Sequence, residues 1–294
     1  MTRDAILLSI ATVAAVAGLL LLGYQTYAPR PTVPEALRPA PTPAHFSAVT
    51  LPKDALTAQA AILYNPATKE VLYAKNVEQQ LPLASLTKLA TALAALSQGE
   101  DRLVTIQSQD LKEEGDSGLK AGETWRLGDL IAFALTTSSN DGIAAAAAGA
   151  LTRTAAIEKM NEDAKAQGLS QSYFLNPTGL DISSSTAGAY GSARDVAQLV
   201  ETMLRTYPVI FEATAYEPSA RAPKEVSTLA PIHNLPGFVA GKTGDTDLAG
   251  GNLAAVVDGG LNEPLIAVVL GSTRDGRFDD VRTLVAAAQS QRAQ

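Results

Sequence analysis

Three short groups of residues in the 294-residue chain carry side chains able to act on a carbonyl. Ser85-Leu86-Thr87-Lys88 sets a hydroxyl and an amine three positions apart, a spacing that brings both to one face of a helix. An amine whose pKa is depressed by burial or nearby cations can take the proton of that hydroxyl and make it a nucleophile. At a helix start, unpaired N–H groups and positive potential surround such a nucleophile. A second copy, Ser117-Gly118-Leu119-Lys120, lies in EEGDSGLKAGE among glycines and charges, where nothing holds its side chains in register. Ser138-Ser139-Asn140 falls between two expected helices. There a hydroxyl can relay a proton and a carboxamide can bond both lysine and a carbonyl, while a helix N-cap is the alternative reading. Lys242-Thr243-Gly244, at an expected strand, offers an amine and a hydroxyl to a carboxylate, and its glycine lets substrate backbone approach closely.

Composition narrows the chemistry further. The absence of cysteine removes disulfides, cysteine zinc sites, iron–sulfur ligation and thiol nucleophiles. Two histidines are too few for a three-histidine metal site within one chain. His45 sits in a proline-rich stretch, and His233, in PIHNLPGF, reads as a structural loop residue before the strand of the third motif. No metal and no cofactor is expected. With 30 acidic against 23 basic residues, a net charge of −7 and no basic block, a nucleic-acid partner is not expected. A lysine-activated serine is the chemistry this composition favours.

The elements that must position these groups follow from periodicity. Residues 5–22 form an apolar run broken by Ser9 and Thr12, close to the ~20 residues that span a bilayer. Residues 1–24 are therefore expected to be an N-terminal single-pass anchor, with a cleaved signal as the alternative. Residues 25–46 form a proline-rich linker, and residues 47–294 a body exported to the outer face of the cytoplasmic membrane. Two short β-rich runs, Gln59 to Asn65 and Glu70 to Lys75, read as a hairpin through Pro66-Ala67-Thr68-Lys69. Leu86, Leu89, Leu93 and Leu96 mark a helix over Ser85 to Leu96 with one buried stripe. Helical patterns follow around Leu127–Thr136, Asp141–Leu151, Arg153–Gln167 and Ala193–Arg205, in a helical lobe covering roughly 98–230. Val239–Thr243, Gly251–Asp258 and Pro264–Ser272 read as strands, and Phe278, Val281, Leu284, Val285 and Ala288 as a closing amphipathic helix. Strands at both ends of a helical middle imply an α+β fold with one antiparallel sheet completed by the two ends of the body.

The three motifs, in this order and context, resemble the signature of penicillin-interacting serine enzymes. The likeness extends to AAILYNPATKEVLYAKNVEQQLPLASLTKLATAL, to GLKAGETWRLGDLIAFALTTSSND, to Phe174-Leu175-Asn176-Pro177-Thr178-Gly179-Leu180 and to Ser192-Ala193-Arg194-Asp195. With GKTGDTDLAGGNL and VVLGSTRDGRF it covers roughly Thr57 to Leu284. The body resembles the serine-type D-Ala-D-Ala carboxypeptidases, the low-molecular-mass penicillin-binding proteins. That resemblance implies a β-lactamase/transpeptidase-like fold, a five-stranded antiparallel sheet with flanking helices and a helical lobe. It implies peptidoglycan stem peptides as substrate and β-lactams as inhibitors. Ser85 would form the acyl-enzyme and Lys88 act as its base. Ser138 would pass the proton to the leaving D-alanine, and Asn140 orient Lys88 and the substrate amide. Lys242 and Thr243 would hold the terminal carboxylate, with Gly244 beside them and Arg274 adding positive charge. The N–H groups of Ser85 and Asp245 would form the oxyanion hole.

Departures from the family pattern bear on the site. Asp245 stands where an aromatic or histidine is frequent, and Ser139 where glycine is common. Relatives often continue into a second β-rich domain and a C-terminal amphipathic membrane helix, whose anchoring role the N-terminal segment is expected to replace. Two alternatives remain: a class A-like β-lactamase, for which Glu158 is the best candidate deacylating base, and a catalytically silent wall-binding module of the same fold.

Overall fold

The computed structural model describes residues 48–115, 118–216, 227–260 and 263–292. The expected anchor and linker over residues 1–46, with His45, lie outside these residues, as does Ser117. Among the described residues no helix is long and apolar enough to cross a membrane.

The hairpin forms as expected from β1 (Ala60–Asn65) and β2 (Glu70–Lys75). Its turn closes when Asn65 Oδ1 accepts the N–H groups of Ala67 and Thr68 at 2.9 and 3.2 Å. Five short strands lie before or within the helical middle. β3 (Leu81–Pro82), β6 (Tyr173–Phe174) and β7 (Ala189–Gly191) make a small sheet in the order β3-β7-β6, and β4 (Leu103–Thr105) pairs β5 (Thr124–Arg126). β8 (Phe238–Thr246), β9 (Gly250–Asp258) and β10 (Pro264–Ser272) complete the main sheet, whose order is β2-β1-β10-β9-β8, antiparallel throughout. β1 therefore joins β10 directly, with Ala60 opposite Leu270.

The sheet is buried on both faces, and the two-residue side-chain period sorts its apolar residues cleanly. Ile62, Val256, Ile266, Val268 and Leu270 face the helical lobe. Leu63, Leu253, Val257, Leu265 and Val269 face the closing helix, where they meet Phe278, Val281, Leu284 and Val285.

Seven α-helices are described: α1 (Thr87–Leu96), α2 (Leu127–Thr137), α3 (Asn140–Ala150), α4 (Arg153–Ala166), α5 (Ala193–Thr206), α6 (Pro208–Glu212) and α7 (Gly276–Arg292). The expectation of one buried stripe on the first of these is corrected: all ten residues of α1 are buried. Its alanines, opposite the leucines, let α3 and α4 pack closely against it, so the helix has no solvent face. Lys88 is buried as a consequence. The lobe is also less uniformly helical than expected, because β4 to β7 lie within residues 98–230. Two- and three-residue strands leave no periodic signal to read.

α7 is pinned to the start of the body by one buried carboxylate. Asp280 accepts from Thr57 N (2.8 Å), Ala58 N (2.9 Å), Thr57 Oγ1 (2.9 Å) and Ser272 Oγ (2.6 Å). Four donors compensate the burial of that charge.

Candidate active site

The nucleophile candidate sits just ahead of the α-helix. Ala84–Leu86 form a 3₁₀ turn that runs into α1, so Ser85 is half-buried at the helix entrance rather than inside it. Ala84 holds φ at 48°, a left-handed backbone that costs a non-glycine residue of order 1–3 kcal/mol. Its carbonyl is held by Thr87 Oγ1 at 2.6 Å and backed by Gly179, where a Cβ would lie 1.9 Å from that oxygen.

Lys88 reaches back from the first turn of α1, and its Nζ lies 2.7 Å from Ser85 Oγ. It also donates to Asn140 Oδ1 at 2.7 Å and to the Thr178 carbonyl at 2.9 Å. These last two oxygens can only accept. A neutral amine has two N–H groups for them and one lone pair, which is then directed at the Ser85 hydroxyl proton. Burial pushes Lys88 down to about 7, with the nearby Glu113 carboxylate opposing the fall. The amine is thus half neutral near physiological pH, as a general base should be.

The Thr178 carbonyl owes its place to a local knot. Asn176 Oδ1 accepts from Thr178 N, Thr178 Oγ1 and Gly179 N, while its Nδ2 donates to Leu180 O. Asp181, next in the same loop, accepts from Thr246 Oγ1 and Leu248 N beyond the third motif.

The second motif occupies the sharp turn between α2 and α3. Ser138 adopts a left-handed conformation (φ 60°) at the C-cap of α2, and Ser139 caps α3 by accepting Gly142 N at 2.9 Å. The N-cap alternative is therefore taken by Ser139, which leaves its two neighbours to face the site. Ser138 Oγ accepts from Lys242 Nζ at 2.8 Å, and Asn140 Nδ2 donates to Glu114 O, which fixes the amide with its oxygen on Lys88.

The third motif lies inside β8, because the strand continues to Thr246 rather than stopping at Thr243. Lys242 is fully buried, and its Nζ also bonds Thr243 O at 2.7 Å. Burial drives its pKa well down, and the charges of Lys88 and Arg277 add to the fall. Thr243 Oγ1 donates to Thr228 Oγ1 at 2.8 Å. Gly244 has no room for a side chain: a Cβ would lie 2.8 Å from Leu83 O in the nucleophile turn. Its lack of one lets the strand pass Ser85 closely. Arg274 Nε lies 3.1 Å from Asp245 Oδ2, so the charge assigned to a substrate carboxylate already has an exposed partner.

Most of the residues singled out from sequence thus converge on one cleft between β8, α1 and the α2–α3 turn. Lys120 of the second Ser-x-x-Lys copy is exposed, and so is Glu158, on α4. His233 lies 3.2 Å from Ser227 Oγ and packs near Phe238, a structural place. Three participants escaped sequence reasoning. The Thr178 carbonyl has no side-chain signature. Asn252, which ties Pro82 O to Gly271 N, reads as one polar residue in a strand. Arg277, which donates to Gly244 O at 2.6 Å, reads as an ordinary charge on an amphipathic helix.

Comparison with known proteins bears on the family and the fold. The family model described as D-alanyl-D-alanine carboxypeptidase matches residues 47–274. The carboxypeptidase DacF of Bacillus subtilis is 32% identical over 229 residues, covering 74% of this chain and 58% of the relative. A D-alanyl-D-alanine endopeptidase of Pseudomonas aeruginosa is 28% identical, over 53% of this chain and 50% of its own length. The chain thus spans between half and three fifths of the length of these two curated relatives. Among solved structures, ampicillin-bound penicillin-binding protein D2 of Listeria monocytogenes superposes with a TM-score of 0.71 at 27% identity, covering 81% of this chain and 99% of that one. Because that family model spans residues 47–274, more than three quarters of the chain, the chain belongs to the D-alanyl-D-alanine carboxypeptidase family of serine peptidases.

Proposed function

We propose that the protein is a serine-type D-alanyl-D-alanine carboxypeptidase acting on peptidoglycan stem peptides outside the cytoplasmic membrane. One observation carries the reading: a fully buried Lys88 whose two N–H groups are committed to Asn140 and Thr178, leaving its lone pair for Ser85. Lys88 takes the Ser85 proton as Oγ attacks the carbonyl between the two D-alanines. The oxyanion is held by the N–H groups of Ser85 and Asp245. The C–N bond then breaks, a proton reaches the departing amine through Ser138, and water hydrolyses the ester. Thr243 Oγ1 and Lys242 Nζ hold the terminal carboxylate, with Arg274 at its rim. β-Lactams, acting as substrate mimics, acylate the same serine. Residues 1–24 act as an anchor or cleaved signal and residues 25–46 as a tether.

D-alanine release from a pentapeptide, followed with wild type and Ser85→Ala, tests the activity. Release with wild type and a loss of at least about 10⁴-fold in the variant are expected. Fluorescent penicillin should label wild type and not Ser85→Ala. An unlabelled wild type would instead favour a silent binding module, and rapid nitrocefin turnover a β-lactamase. A cross-linked dimeric peptide, run alongside, measures any endopeptidase share.

A further inference from the structure

We propose that Arg277 is a positioning residue for the oxyanion hole: its guanidinium orients and polarises the Gly244–Asp245 peptide so that the Asp245 N–H faces the carbonyl attacked by Ser85. The inference rests on the acyl-transfer reading above and assigns a role to a side chain that reading does not use.

Arg277 is 7% exposed, and the Asp245 carboxylate that acts on it at a distance is ion-paired to Arg274 instead. Its hydrogen bond to Gly244 O is made by Nη1, its Nε has no partner, and its guanidinium carbon lies 4.9 Å from the Phe278 ring centroid. Burial pulls its pKa down, the Asp245 and Asp275 carboxylates oppose that fall from beyond ion-pair distance, and its one hydrogen bond goes to a main-chain carbonyl. The acceptor it does have belongs to a particular peptide unit. In a trans peptide the carbonyl of one residue and the N–H of the next point in opposite directions, and no cis bond is present among the described residues. β8 is the edge strand, bordered on one side by β9. Gly244 lies opposite Asn252 in the β8–β9 ladder, which turns its carbonyl toward the sheet, and Arg277, from α7 packed on β9 and β10, adds a charged hydrogen bond that holds it there. The Asp245 N–H is thereby turned to the open edge. Strand alternation agrees, since the Thr243 carbonyl, two residues back, faces the cleft and accepts from Lys242 Nζ.

The bare Cα of Gly244 brings this same peptide against the Leu83 carbonyl of the nucleophile turn. A cation on the amide oxygen also polarises the bond, which makes the N–H a stronger donor to developing negative charge. The rival explanation is that Arg277 only ties α7 to β8. That role would alter stability without altering chemistry in the folded enzyme.

Wild type, Arg277→Met and Arg277→Lys are compared in full-length protein. The readouts are thermal melting, the first-order rate constant for acylation by fluorescent penicillin, and acylation by two thioester substrates, one with and one without a terminal carboxylate. The expected result for Arg277→Met is a ~10–100-fold slower acylation step with all three acyl donors, substrate affinity within about threefold and a cooperative melt. Arg277→Lys should recover a measurable part of the rate. Acylation by folded Arg277→Met within about threefold of wild type overturns the proposal, as does a loss confined to the carboxylate-bearing donors, which would make Arg277 a carboxylate ligand. A wild type that labels while Arg277→Met is unimpaired overturns this proposal alone. A wild type that takes no label overturns the acyl-transfer reading and this proposal with it.

Discussion

Titrating Lys88 should switch the nucleophile on over a narrow range of pH. Its buried amine is pushed down to about 7, so about a tenth is neutral at pH 6, about half at pH 7 and about nine tenths at pH 8. The acylation rate constant should therefore fall ~10-fold per unit below pH 6.5 and level off above about pH 8. An ordinary lysine at 10.5 would be neutral in only ~0.03% of molecules at pH 7, so burial raises the base fraction on the order of 10³-fold. The same shift costs the fold. The unfolded lysine holds its proton up to about 10.5 and the folded one releases it near 7, so stability from this group is complete above 10.5 and is lost as pH falls toward 7. The loss is on the order of 5 kcal/mol relative to a side chain without the charge. Stopped-flow acylation by fluorescent penicillin between pH 5.5 and 9.5 measures the first effect. Chemical denaturation of wild type against Lys88→Met over pH 7–10 measures the second, and wild type should lose ground as pH falls. Glu113→Gln removes the one charge that holds Lys88 up and should move the acid limb to lower pH. A rate that is flat from pH 6 to 9, or a limb centred above pH 9, would refute the argument that burial makes this lysine the base.

Other perturbations have directions set by geometry. Gly179→Ala places a Cβ 1.9 Å from Ala84 O at a φ of +80°, so it should cost about 2–4 kcal/mol and slow penicillin labelling by displacing the Ser85 turn. Ser139→Ala removes the α3 cap and should lower stability by about 1 kcal/mol in denaturant titration, with the acylation rate nearly unchanged. Asp245→Asn releases Arg274 from its exposed partner. Stability should change by less than about 0.5 kcal/mol, while KM for a peptide with a free terminal carboxylate should fall and kcat hold.

Side chains with a distinctive type and spacing are legible in the sequence. Ser85 and Lys88 announced themselves by three-residue spacing, and the Leu-rich period located the helix that carries Lys88. The expected second-motif break between helices is the turn that holds Ser138 and Asn140. What stayed hidden was of another kind. The Thr178 acceptor is main chain, and the Asn176 side chain that presents it resembles any turn asparagine. The fully buried state of α1 depends on helices that arrive from later in the chain, so its own pattern shows only the leucine face. The paired strands β3 and β7 are two and three residues long and more than a hundred positions apart, with no local period to betray them. Arg277 occupies a helix whose apolar period is plain in the sequence, yet its guanidinium reaches the Gly244 carbonyl of β8.

The joining of β1 to β10 carries a consequence for how the molecule is made. Thr57 and Asp280, bonded directly, are separated by 223 positions, so loop closure over most of the body must precede completion of the sheet. The segment bearing Ser85 leaves the ribosome well before the strand bearing Lys242. Until β8, β9 and β10 dock, β1 presents an unpaired edge and α1 lacks part of its cover. Apolar surface left uncovered in that way favours aggregation, and no cysteine is present to cross-link the chain meanwhile. Such an intermediate is also chemically silent, since half of the acylating machinery has yet to arrive. Maturation of the nucleophile is thus timed by topology, with reactivity appearing only when the late strands close against the early ones.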